Sequence, residues 1–158
     1  MTDNPYQASL VPAWTPPVQE RPGISILAIF LGLLTDIGGS TVVGFVLSVV
    51  FSAYLLSQGT TFDELAIVFQ SPTFWIPGAV LGLGLTFLGG FVAGRVARRS
   101  ELLHGAITGS ISGLFGFLMQ LWQAAPLWYA TPSLLIVPPT AMLGAHLSKI
   151  GRRRQQIA

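Results

Sequence analysis

Four ionisable side chains stand inside or at the edges of strongly apolar stretches of this 158-residue chain: Asp36, Arg95, His104 and His146. An ionisable group in such a setting is costly to desolvate, so it calls for an opposite charge, a hydrogen-bond network or a water-filled cavity. Two chemistries are open to this possible intramembrane polar cluster. Asp36 can pair with Arg95 as structural glue while the histidines reach back toward a polar surface. Alternatively, Asp36 with a histidine close by makes a protonatable site in a polar cavity, with Gly38 and Gly39 permitting a helix break that exposes backbone groups. Asp36, His104 and His146 are also metal-ligand types, but they lack a dedicated spacing such as two histidines one turn apart on a helix, so no metal is expected. The serines of Gly109-Ser110-Ile111-Ser112-Gly113 have no histidine in a context that would activate them. With no cysteine and no phosphate-binding glycine loop after a strand, no catalytic residue and no cofactor are assigned, and the chain is expected not to be an enzyme.

The elements that must position these groups follow from composition. About half of the residues are apolar, 51%, and only 9% are charged, with a mean hydropathy of +0.66. A soluble domain of this length needs far less apolar surface, and here it falls in runs rather than amphipathic stripes. The expected class is all-α: a polytopic membrane protein built as a four-transmembrane-helix bundle. Residues 1–23, with five prolines among polar residues, resist helix and read as a flexible cytoplasmic tail that is not a secretory signal. The transmembrane domain is then 24–148, with spans at about 24–56, 74–96, 102–122 and 127–147, followed by a basic cytoplasmic tail, 149–158.

The first stretch reaches about 50 Å as a straight helix, against a hydrocarbon core of about 30 Å. It must tilt, break near Asp36-Ile37-Gly38-Gly39, or begin in the interface, and the interfacial start is favoured. The five-residue link from Ala97 to Glu101 forces a tight hairpin, and Pro138-Pro139 should kink the fourth span. Between the first two spans, Thr61-Phe62-Asp63-Glu64 fits a capping box opening a short outer interfacial helix over about 61–70, with Leu65, Val68 and Phe69 on its apolar face.

All eight basic residues (Arg21, Arg95, Arg98, Arg99, Lys149, Arg152, Arg153 and Arg154) fall on one side of a four-span chain. The opposite loops hold Asp63 and Glu64 and no base, so the excess of Lys and Arg places both termini in the cytoplasm. Trp75, Trp122, Trp128 and Tyr129 stand where an outer aromatic belt is expected, while Trp14 lies in the tail. This placement accounts for the basic residues, and no nucleic-acid partner is expected.

Small or polar residues recur every fourth position, which stacks them on one ridge of a helix. The first span carries Gly32, Asp36, Ser40, Gly44, Ser48 and Ser52; the second Gly78, Gly82, Thr86, Gly90 and Gly94; the third Gly105-Gly109-Gly113 and Thr108-Ser112-Gly116-Gln120. Helices in lipid associate through close backbone approach, so Gly44, Gly82, Gly90, Gly94, Gly105, Gly109 and Gly113 are expected at helix contacts.

The segment from Gly89 to Arg98, Gly-Gly-Phe-Val-Ala-Gly-Arg-Val-Ala-Arg, with Leu102-Leu103-His104-Gly105-Ala106 opening the next span, resembles a broad group of small four-span bacterial inner-membrane proteins with no assigned activity. The opening Asn4-Pro5-Tyr6-Gln7 is similar to the start of many bacterial membrane proteins. The resemblance implies a multi-pass protein of the bacterial inner membrane and carries no catalytic role. The leading functional expectation is a non-enzymatic structural or accessory component, with the lipid bilayer and a homo-oligomer or larger membrane complex as partners. The alternative is a small, proton-coupled transporter or channel subunit using Asp36, which requires a polar cavity reaching that residue.

Overall fold

A computed structural model describes residues 23–123 and 127–155. The tail through residue 22, with Trp14 and Arg21, lies outside the described residues, as do 124–126, 156–158 and the side chains of Trp128, Tyr129, Arg152, Arg153 and Arg154. Every element among the described residues is helical. Ser25 caps α1, Ile26–Leu33, its Oγ accepting from the Ala28 N–H at 3.3 Å. The chain does not break at Asp36–Gly39. It widens into a π turn, Leu34–Gly38, and runs on as α2, Gly39–Ser57. A π turn accommodates an extra residue, which rotates the following helix by about 100° relative to the ridge preceding it.

After Gly59 turns the chain at φ 89°, Thr61 and Glu64 form a capping box at the start of α3, Phe62–Phe69. Leu65 is buried, and Phe69 meets Phe74 edge to face at 4.6 Å and Phe51 at 6.3 Å, tying α3 to its neighbours. Pro72 opens α4, Pro72–Ala97, at a position where its missing N–H costs nothing. Arg98 and Ser100 both adopt left-handed backbone, φ 55° and 50°, to reverse the chain into α5, Glu101–Trp122. The last helix, α6, spans Leu127–Gln155 through Pro132, Pro138 and Pro139. It continues past Leu147 into the basic segment, because Lys and Arg are good helix formers and their charge favours a helix C-terminus.

The interior is made of small and polar residues. The buried apolar side chains among the described residues are five alanines and Leu65, whereas Phe45 (70% exposed), Ile26 (80%) and many other large apolar residues face outward. Water would reverse that distribution; lipid, as apolar as leucine, does not. Three helices, Ile26–Ser57, Pro72–Ala97 and Glu101–Trp122, are long and apolar enough to cross a membrane.

Helices α4, α5 and α6 pack most extensively, and α1 lies against α4 and α5. Glycine makes those crossings close. A Cβ at Gly90 would overlap the Ala141 backbone, and one at Gly94 would sit 2.6 Å from Ser148 Oγ. Those at Gly105, Gly109 and Gly113 would come within 2.7, 2.7 and 2.9 Å of α6 atoms. Two further crossings are equally tight: Gly144 against Phe87, and Gly32 against Gly89. Gly44 and Gly82 differ from the sequence expectation, since nothing lies within 4 Å of a Cβ at either. Gly44 lies on α2, which follows the π turn and buries no residue, while Gly82 borders a cleft.

Candidate functional site

The cleft, about 530 Å³, lies between the start of α2, α4, α5 and α6. Asp36 forms part of its wall from inside the π turn and is buried, 4% exposed. The Thr86 hydroxyl, fifty positions away in sequence, donates to Asp36 Oδ1 at 2.9 Å. Ser112 on α5 lies near enough to act on the same carboxylate but outside hydrogen-bond geometry. Asp36 Oδ2, Ser112 Oγ and Gln120 Oε1 therefore have no hydrogen-bond partner within the chain. An unpartnered polar atom in a protein interior is expensive; of the four such side-chain atoms among the described residues, three belong to residues lining this cavity and the fourth, Thr108 Oγ1, does not. The rest of the wall is largely apolar, including Ile37, Leu83, Phe115, Met119, Ile136 and Val137.

The four ionisable groups do not converge. Arg95 is exposed and stands nine positions beyond Thr86, about 13 Å further along α4, so the Thr86 hydroxyl takes the place a guanidinium would need. His146 is exposed on α6. His104 is fully buried but serves a different end of the bundle: its Nε2 accepts from the Ser25 backbone N–H at 2.8 Å, and Nδ1 meets the Ser100 carbonyl at 2.9 Å. Because Nε2 must accept, the proton sits on Nδ1, and the ring is the neutral tautomer set by its two partners. The histidine nearest to Ser112 in sequence is this engaged ring, two turns along α5. Among the described residues no group of three or more His, Cys, Asp or Glu could hold a metal.

Thr86, Ser112 and Gln120 complete the site around Asp36, and each occupies a four-residue ridge visible in the sequence. Thr86 is the polar member of a ridge otherwise made of glycine, whereas Ser112 and Gln120 share theirs with Thr108 and Gly116, and Thr108 is buried away from the cleft, so the sequence pattern did not separate wall from contact. No protein-family model, no curated protein and no solved structure matches the chain.

Proposed function

We propose that this is a four-span protein of the bacterial inner membrane with both termini in the cytoplasm, and that its cleft is a solute-binding site of a small transporter or channel subunit centred on Asp36. The observation that carries this reading is Asp36 Oδ2, buried at a cavity wall and without a partner in the chain. A purely structural carboxylate at that depth would be expected to have its lone pairs occupied by neighbouring helices. The fourth span is α6, whose small residues Ala141, Gly144, Ala145 and Ser148 are buried against α4 and α5. The orientation rests on charge: Ser25 meets His104 and Gly94 meets Ser148, so the start of α1, the Arg98–Ser100 link and Lys149 share one end of the bundle. The bacterial location rests on the resemblance of the Gly89–Ala106 segment.

The test is a flux assay in proteoliposomes under an imposed pH gradient, comparing wild type with Asp36→Asn after both are shown to be folded and equally incorporated. Gradient dissipation by wild type that is lost in the variant supports the reading. Indistinguishable wild-type, variant and protein-free liposomes would overturn it. A second reading, a non-enzymatic accessory protein that associates with itself or a larger membrane complex, is favoured by α2, which buries no residue and leaves Gly44 open. It expects Asp36→Asn to alter assembly alone.

A further inference from the structure

The charge balance of the cleft narrows its ligand. Among the described residues that line it, Asp36 is the one ionisable group; α4, α5 and α6 contribute neither a base nor a second acid. Its three unpartnered atoms are all able to accept hydrogen bonds: Asp36 Oδ2, Ser112 Oγ and Gln120 Oε1. Asp36 is 4% exposed and Ser112 8%, so both are held by the fold rather than left on a surface. Gln120 stands two turns along α5 from Ser112, about 12 Å, and Phe115 and Met119 lie between them in sequence.

Burial without a counter-charge favours the protonated form of Asp36, so a ligand that holds it as a carboxylate must itself bring positive charge, with N–H donors for the acceptor atoms and apolar area for the rest of the wall. An anion would meet that carboxylate head-on, and a neutral ligand would gain nothing from its charge. An inorganic cation seeks about six oxygen ligands and makes no use of Ile37, Leu83, Ile136 and Val137. We propose that the cleft binds a hydrophobic organic monocation carrying an ammonium group. The ammonium sits at Asp36 and Ser112, and the apolar body lies along the Phe115–Met119 wall toward Gln120. A cavity of about 530 Å³ accommodates a molecule of that kind. The inference rests on the reading of the cleft as a binding site.

Three probes with one apolar body and different charge test it: 4-(4-fluorophenyl)butylammonium, the corresponding alcohol and the corresponding carboxylate. Binding to the full chain in lipid nanodiscs is followed by fluorine NMR, with protein-free discs as the partitioning control. The ammonium is expected to bind at least about tenfold tighter than the alcohol, the scale of a desolvated charge pair, and the carboxylate not at all. Asp36→Asn should remove the ammonium's advantage while leaving the alcohol unchanged. Gly82→Phe, placed where a Cβ meets nothing within 4 Å, should fill the cleft and abolish binding of both without disturbing the fold. Alcohol binding as tight as ammonium binding, with both lost in Gly82→Phe, would overturn the cation inference and leave the binding site standing. No saturable binding of any probe, or binding indifferent to Gly82→Phe, would overturn both.

Discussion

The Ser25 backbone N–H donates to His104 Nε2 across 79 positions of sequence, at 2.8 Å, while the other ring nitrogen is held by the Ser100 carbonyl one helical turn before it. One fully buried imidazole thus joins the first turn of α1 to the turn that reverses α4 into α5. It satisfies an N–H at a helix start, where backbone donors lack partners within the helix.

His104→Ala should therefore loosen the entry of α1, at a cost of up to about 1–3 kcal/mol from leaving that half-buried N–H unpaired. The thermal midpoint of purified protein should fall. Faster amide exchange is expected around Ser25–Ile29, with the cleft residues Thr86 and Ser112 little affected. An unchanged midpoint would show that the contact is not structural.

Substitution at glycine should separate contacts from open faces. Gly90→Leu drives a side chain into the Ala141 backbone, and Gly144→Leu drives one into Phe87. Either should cost more than about 3 kcal/mol by overpacking, enough to lower the yield of folded protein sharply. Gly44→Leu, with nothing within 4 Å, should change the stability by less than about 1 kcal/mol. Its failure to behave so in a membrane, with monomer stability intact in detergent, would reveal a docking partner on α2.

The capping box at α3 should respond to acid. Glu64 accepts from the Thr61 N–H at 2.7 Å and from its hydroxyl at 3.0 Å, and these bonds, the backbone one first, hold its carboxyl below the ordinary glutamate range. A depressed carboxyl contributes stability above its unfolded value and loses it as pH falls through the folded one. Amide protection over Phe62–Phe69 should be intact at neutral pH and fade below about pH 4. Glu64→Gln should flatten that profile.

Sidedness is accessible because the chain contains no cysteine. Single cysteines at Gln58 and at Ser100 should label from opposite faces of sealed inverted vesicles with a membrane-impermeant maleimide, Ser100→Cys from the outside and Gln58→Cys only after permeabilisation. Labelling of both from one face would require a different number of crossings.

The helical class, the long apolar segments and the Thr61–Glu64 cap were legible in the sequence by itself, because each depends on local composition and spacing: apolar run length, a four-residue ridge, a capping pair three positions apart. Asp36 was legible too, as a charge in an apolar stretch. Its partner was decided by tertiary structure. Arg95 was the chemically obvious choice, but ion pairing depends on the height at which two helices cross, and the Gly32–Gly89 contact sets that height opposite Thr86 rather than Arg95. The ridges likewise carried no sign of which glycines touch a helix and which border a cleft. Gly82 and Gly90 have the same spacing and chemistry, yet Gly90 meets the Ala141 backbone of α6 while Gly82, two turns earlier on α4, borders the cleft. A periodic pattern marks one face of a helix; the distance to the next helix, on which close packing and a cavity differ, is a property of the assembled bundle.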